Sequence, residues 1–228
     1  LPPLLNDRTL DEVAEQLNTT QKSIGYLKES LFKKRFEEAD NNIKKMLNIQ
    51  YRMHPNIMDA INQFYNGNLE CGLPQPDIQR SHNLETNIIN NNHHLVWVKT
   101  PIVNGFGETR DGTSFVNHRE IDVIIRLCQQ MELSWLSRVN DEGRKEIGII
   151  TFYGRQLRQI ESRINPNEFP SLHLRTGTDD RFQGMEKQII IVSLVRNNNR
   201  HDIGFAKKAE RINVAFSRAQ ELLIIVGC

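Results

Sequence analysis

Cysteine is scarce in this chain: Cys71, Cys128 and Cys228 are the three among 228 residues. They stand too far apart for paired metal-ligand spacing or a disulfide framework, and such usage fits a reducing cytosol. An excess of one charge is missing too. The formal net charge is +1, so no global field draws in nucleic acid or a membrane, and any basic surface has to be local. No apolar run reaches the roughly 20 residues of a membrane span, and no signal-peptide pattern is present, so a cytoplasmic protein with no membrane partner is expected. The chain opens on "LPPLL" without a methionine, as an excised fragment would.

Phosphate loops are missing as well. Gly67 and Gly72 have the Gly-x-x-x-x-Gly spacing, but Leu73 and Pro74 follow where Lys and Ser or Thr are needed. Gly105 and Gly107 begin a dinucleotide fingerprint that Arg110 breaks. The acidic pairs Asp11-Glu12 and Asp141-Glu142 do not follow apolar strands, so neither reads as a magnesium-binding strand end. His82, His93 and His94 cluster loosely; their spacing and the absence of cysteine partners predict a solvated loop and no metal site.

What is present alternates between two periods. "HLVWVK" (94–99), "EIGIITF" (146–152), "SLHLRT" (171–176), "KQIIIVSLV" (187–195) and "ELLIIVG" (221–227) read as strands, the last two near-continuously apolar and β-branched. Between them lie helical patterns. Thr9 is placed to cap a helix carrying Leu10, Val13 and Leu17. "KSIGYLKESLFKKRFEEA" puts Leu27, Leu31 and Phe32 at helical spacing. Pro55 suits a first turn ahead of Ile57, Met58, Ile61, Phe64 and Tyr65, and Asn117 with Glu120 reads as a capping pair. Such alternation predicts an α/β fold with a mostly parallel sheet covered by helices on both faces.

Three segments carry candidate chemistry. In "LNIQYRMHPNI" (47–57), Tyr51 and Arg52 stand just ahead of a helix N-terminus; a ring can stack on a base and a guanidinium can grip phosphate. In "TGTDDRFQGMEKQIIIVSLVR" (176–196), a polar loop bearing Thr178, Asp180, Gln183 and Glu186 feeds a buried strand. In "ERINVAFSRAQELLIIVG" (210–227), Arg211 and Arg218 fall on one helical stripe, two turns apart. Each segment taken alone reads more readily as a solvated surface.

Together the three segments resemble, in order, motifs of superfamily 1 helicases, in the branch that includes the nonsense-mediated-decay helicase and its DNA-acting relatives. "DGTSFVNHRE" (111–120) matches a further pattern, "IGIITFYGRQ" (147–156) resembles the Ile-Thr-Pro-Tyr motif, "IGF" (203–205) fits the link before the last helix, and "LPP" (1–3) matches the end of the motif that closes the first motor domain. The resemblance implies that residues 1–46 are a helical connector from the first motor domain. It makes residues 47–228 the second RecA-like domain, of the P-loop NTPase type. ATP and Mg2+ are then expected between the two domains, with the phosphate loop and magnesium ligands in the first. Tyr51 would stack on adenine, Arg52 would reach the terminal phosphate, and Arg218 would be the arginine finger. Glu186 would bind the ribose, and Gln183 would couple the nucleotide edge to the nucleic-acid edge. Thr151, Tyr153 and Thr178 would contact the backbone of single-stranded DNA or RNA. The implied function is an ATP-dependent 5′ to 3′ helicase, with DNA favoured over RNA and the fragment inactive by itself; the alternative is an inert nucleic-acid-binding or scaffolding domain. Two departures stand out: Phe152 replaces the motif's proline, and Asp179 stands where an apolar residue is common.

Overall fold

The computed structural model describes residues 7–28, 31–103 and 105–228; the "LPP" stretch lies outside them. The backbone divides into two compact units, residues 1–47 and 48–228.

In the first unit, helix α1 (Asp7–Gln16) turns Leu10 and Ala14 onto Ile24, and all three are buried. Thr9 sits inside α1 rather than capping it, because the helix begins two residues earlier. The second helical pattern is broken. Gly25–Lys28 is a single 3-10 turn and α2 (Leu31–Glu38) follows, with Leu31 and Phe32 exposed.

The second unit is built on five parallel strands: β1 (Leu95–Lys99), β2 (Lys145–Thr151), β3 (Leu172–Thr178), β4 (Lys187–Ser193) and β5 (Ala219–Gly227). Their order across the sheet is β1-β5-β4-β2-β3. Four helices cover it: α3 (Pro55–Asn62), α4 (His118–Trp135), α5 (Gly154–Arg163) and α6 (Ala209–Phe216). Strand alternation sorts the side chains between two cores. Ile147, Ile189, Ile191, Leu222 and Ile224 face α4 and α5, while Ile150, Ile190, Val192, Leu223 and Ile225 face α3 and α6. Both faces are apolar, which is why these strands read as continuous hydrophobic runs. No described helix is long and apolar enough to cross a membrane.

Two glycines let the β3–β4 connection cross the sheet. Phe182 is fully buried, and a Cβ on Gly148 or Gly177 would come within 2.8 or 2.9 Å of its ring. The chain can therefore run from the C-terminal end of β3 to the N-terminal end of β4 with Phe182 pressed onto the strands. A hairpin pairs Thr109–Asp111 with Ser114–Val116.

Candidate functional site

The turn at Tyr51 and Arg52 is held by its neighbours. Ile49 and Gln50 pair in parallel with Glu70 and Cys71. Gln50 Oε1 accepts the Arg52 and Met53 amides at 2.9 Å each, and its Nε2 donates to the Met53 carbonyl at 3.0 Å. From outside, Arg80 Nε donates to the Arg52 carbonyl at 2.6 Å and Nη2 to the Tyr51 carbonyl at 2.8 Å. The His54 amide is bonded to the Gln220 carbonyl of β5, and the His54 ring takes the Asn56 amide as the cap of α3. With the backbone fixed from every side, the Tyr51 and Arg52 side chains project. Tyr51 is 62% exposed, and its ring lies on Gly72, where a Cβ would stand 2.4 Å from Tyr51 Cε1.

Arg52 reaches Glu186 through Nε at 2.5 Å and the Ser217 carbonyl through Nη1 at 3.1 Å. Arg218 is tied to the same corner. Its Nε donates to the Val214 carbonyl at 2.8 Å, Nη1 to the Met185 carbonyl at 3.2 Å and Nη2 to Ser217 Oγ at 2.9 Å. Burial, and after it the charge of Arg52, hold the Arg218 guanidinium below its ordinary pKa. Two guanidiniums thus converge on Ser217, one of them also bonded to the Glu186 carboxylate. Glu186 and Arg218 immediately precede β4 and β5, so this corner lies at the N-terminal ends of the strands. Helix α6 ends at Phe216, so Arg218 lies past it rather than on one helical stripe with Arg211. Gln183 is exposed on the turn at Gly184, and among the described residues no hydrogen bond ties its side chain to the arginines.

Arg211 points elsewhere. It is 1% exposed and donates to Asp179 at 2.7 Å and to Asp180 at 3.5 Å. The carboxylate that departs from the motif therefore turns inward onto α6. Burial pushes the Asp179 carboxyl up to about 6 against the pull of Arg211.

At the opposite end of the sheet, Thr151 stands in register between Thr178 and Ser193 at the ends of their strands. Thr178 is half-buried and Thr151 fully buried. Tyr153 is buried as well. Its ring packs on Phe115 and Phe205, and its hydroxyl accepts the Phe205 amide at 3.3 Å.

The histidines correct an expectation. His93 is exposed, but His82 and His94 are buried rather than solvated. His94 stacks on His54 with ring centroids 3.4 Å apart and meets His82 edge-on at 5.5 Å. The sequence offers no signal of this, because His54 comes from the distant turn. Burial pushes His82 down to about 4 and lowers His94 also. Ligand atoms of His54, Asp77 and His94 lie within 4.8 Å of one another. The proton count favours a hydrogen-bonded relay over a metal. His54 Nδ1 accepts the Asn56 amide, so Nε2 carries the proton that goes to Asp77 at 2.9 Å; a cation on Nε2 would require breaking the α3 cap.

Residues 27–228 match the model of the AAA domain family AAA_12. The chain belongs to that family. The relatives that share this domain are superfamily 1 helicases. It is 30% identical to the DNA replication ATP-dependent helicase/nuclease DNA2 of Saccharomyces cerevisiae, over 90% of this chain and 14% of that protein. It is 31% identical to the helicase sen1 of Schizosaccharomyces pombe, over all of this chain and 12% of that protein. It is 31% identical to the DNA polymerase alpha-associated DNA helicase A of S. cerevisiae, over 80% of this chain and 27% of that protein. The AAA_12 chain thus spans between 12% and 27% of the length of these relatives. Three of its residues have roles that the sequence pattern does not announce: Arg80, Gly72 and Ser217 each fix a side chain or carbonyl of the arginine corner.

Proposed function

We propose that this domain completes the ATP site of a nucleic-acid helicase and grips one strand, in a full-length protein that carries the first RecA-like domain. The observation that carries the reading is the convergence of Arg52 and Arg218 at the N-terminal ends of β4 and β5. Two like charges held together are relieved by an anion, and guanidiniums match phosphate oxygens. Arg52 meets the terminal phosphate, Arg218 stabilises the charge that develops during transfer, and Tyr51 stacks on the adenine. Glu186 aims Arg52 and lies where a ribose hydroxyl could share it, while exposed Gln183 links the nucleotide corner to the strand end. The donor set here fits phosphate, not a cation: the carboxylate present is already bonded to Arg52. Mg2+ is therefore held by the first domain, where it neutralises phosphate charge.

The strand lies over the C-terminal ends of β2 and β3. Thr178 meets its backbone; Thr151 and Tyr153 lie beneath and hold the loops in place. DNA is favoured as the track, since two of the three relatives are named as DNA enzymes, and movement is 5′ to 3′. Steady-state ATP hydrolysis by the full-length protein tests this. Single-stranded DNA should stimulate turnover more than RNA, and a duplex with a 5′ tail should be opened. Strand binding with no turnover at all would leave the inert binding domain as the better reading.

A further inference from the structure

We infer that Asn117 and Glu120 are positioning residues: they hold Val195 in a left-handed backbone conformation and so set the loop that leaves β4 at the strand-gripping end of the sheet. The functional half of this inference rests on the proposed reading of that end.

Val195 has φ +71°. Among the described residues, the other non-glycine positions with positive φ are Asn18, Asn66, Asn83 and His201, types that tolerate this region. Valine is not one of them. Its branched Cβ crowds the neighbouring carbonyl, so its surroundings must enforce the conformation. Two buried side chains do so. Glu120 Oε2 accepts the Val195 amide at 2.9 Å, and Asn117 Nδ2 donates to the Val195 carbonyl at 3.2 Å. Both backbone polar groups of Val195 are held from the first turn of α4.

The clamp is itself braced. Glu120 Oε2 also accepts Ser193 Oγ at 2.7 Å. Gln156 locks the backbone of Asn117, accepting its amide at 2.8 Å and donating to its carbonyl at 3.2 Å, and donates to Ser193 Oγ at 2.9 Å. Asn117, Glu120, Gln156 and Ser193 are all fully buried. Asn117 divides its amide: Oδ1 caps α4 on the Glu120 amide at 3.2 Å, and Nδ2 holds Val195.

The turn at Val195 aims the residues after it. Arg196 Nε and the Asn197 amide both reach Glu108, at 3.1 and 2.6 Å, and the Arg196 guanidinium lies over the Phe115 ring at 4.2 Å. Gly204 closes the layer, for a Cβ there would stand 2.0 Å from the Tyr153 hydroxyl and 2.6 Å from Arg196 Nη1. An extended Val195 would carry Arg196 away from Gly204 and release Tyr153 from its partners. The backbone angle of one buried valine is therefore transmitted to the edge where the strand is proposed to lie.

The test uses the full-length protein. Asn117→Ser keeps a good helix cap but removes the amide donor to Val195, and Glu120→Gln alters the acceptor. Each should raise the concentration of single-stranded DNA that half-maximally stimulates ATP hydrolysis by about tenfold. Strand-independent turnover and the KM for ATP should change less than twofold. Val195→Gly removes the conformational penalty, so either variant combined with it should lose less than threefold. A loss as large in the double variants as in the single ones, or an equal fall in strand-independent turnover, overturns the inference. Should a single variant not fold, its combination with Val195→Gly decides. Recovery of folding supports strain at Val195, and failure to recover overturns it. If the wild-type protein shows no strand-stimulated turnover, the functional reading fails first. Hydrogen exchange at residues 195–198 then tests the clamp by itself: faster in Glu120→Gln and restored by Val195→Gly if it holds, unchanged in Glu120→Gln if it does not.

Discussion

Arg211 donates to Asp179 at 2.7 Å, and both side chains are 1% exposed. The pair joins α6 to the loop that starts at the end of β3, so one buried contact links the helix ahead of Arg218 to the edge that carries Thr178. Removing one member of a buried ion pair strands the other charge, whereas replacing both by apolar groups of similar volume is often nearly neutral. Asp179→Ala and Arg211→Ala should each lower stability by about 3 kcal/mol. Asp179→Val combined with Arg211→Met should recover much of the loss. Denaturant unfolding measures all three. Additive losses in the double variant would mean that the pair is not the unit of stability.

Gly72 should control the nucleotide through Tyr51. Gly72→Ala places a methyl against the ring and must move it. The expected effect is a rise in the KM for ATP of roughly 3- to 10-fold, the scale of one aromatic stacking contact, with kcat within a factor of two. Tyr51→Ala should match it, and the double variant should be no worse than either single one. A double variant with multiplied losses would separate Gly72 from the ring.

Both the sheet and the arginine corner were partly legible in the sequence, for different reasons. Residues 187–193 and 219–227 could be read because a strand buried on both faces must be apolar throughout. The hairpin at 109–116 could not, since its strands are only three residues long and mostly polar. Arg52, Glu186 and Arg218 stand out through their motifs, but Arg80 acts from 28 residues further along the chain, beyond α3, and belongs to no pattern. The buried histidine stack needed long-range information too, because burial of His82 and His94 depends on His54. Asp179 was visible as a departure, yet its inward turn follows from Arg211 alone.

Arg218 and Arg211 should separate in the full-length enzyme. Arg218→Ala should cut turnover by roughly a thousandfold, the scale of a lost arginine finger, while nucleotide and strand binding persist. It should also cost about 1 kcal/mol of stability, because its guanidinium bonds the Val214 and Met185 carbonyls. Arg218→Lys should restore little turnover, lacking the planar fork. Arg211→Ala should show the reverse balance, a large stability loss and a smaller effect on turnover. Single-turnover kinetics alongside unfolding separates the two, and an exchange of the phenotypes would move the finger to Arg211.

Glu120 should make stability fall as pH rises. Burial pushes its carboxyl from 4.5 up to about 7; the Ser193 hydroxyl and the Val195 amide oppose this, and the Glu108 carboxylate adds to it. Asn117 supplies the remaining polar contact, and Arg196 is occupied with Glu108. Below pH 4.5 the folded and unfolded states both hold the proton. From there to about pH 7 the folded state keeps a proton that the unfolded state has released, so stability declines across that window and is level above it. At about 1.4 kcal/mol per pH unit, the full decline is on the order of 3 kcal/mol. Asp179, raised from 3.8 to about 6, adds a contribution of the same sign at lower pH. Glu120→Gln cannot titrate, so its stability relative to the parent should rise between pH 4.5 and 7 whatever its offset at either end. Unfolding curves for both proteins from pH 4 to 8 read this directly. A stability difference that stays constant across the range would show that Glu120 is ionised throughout and that burial does not govern it.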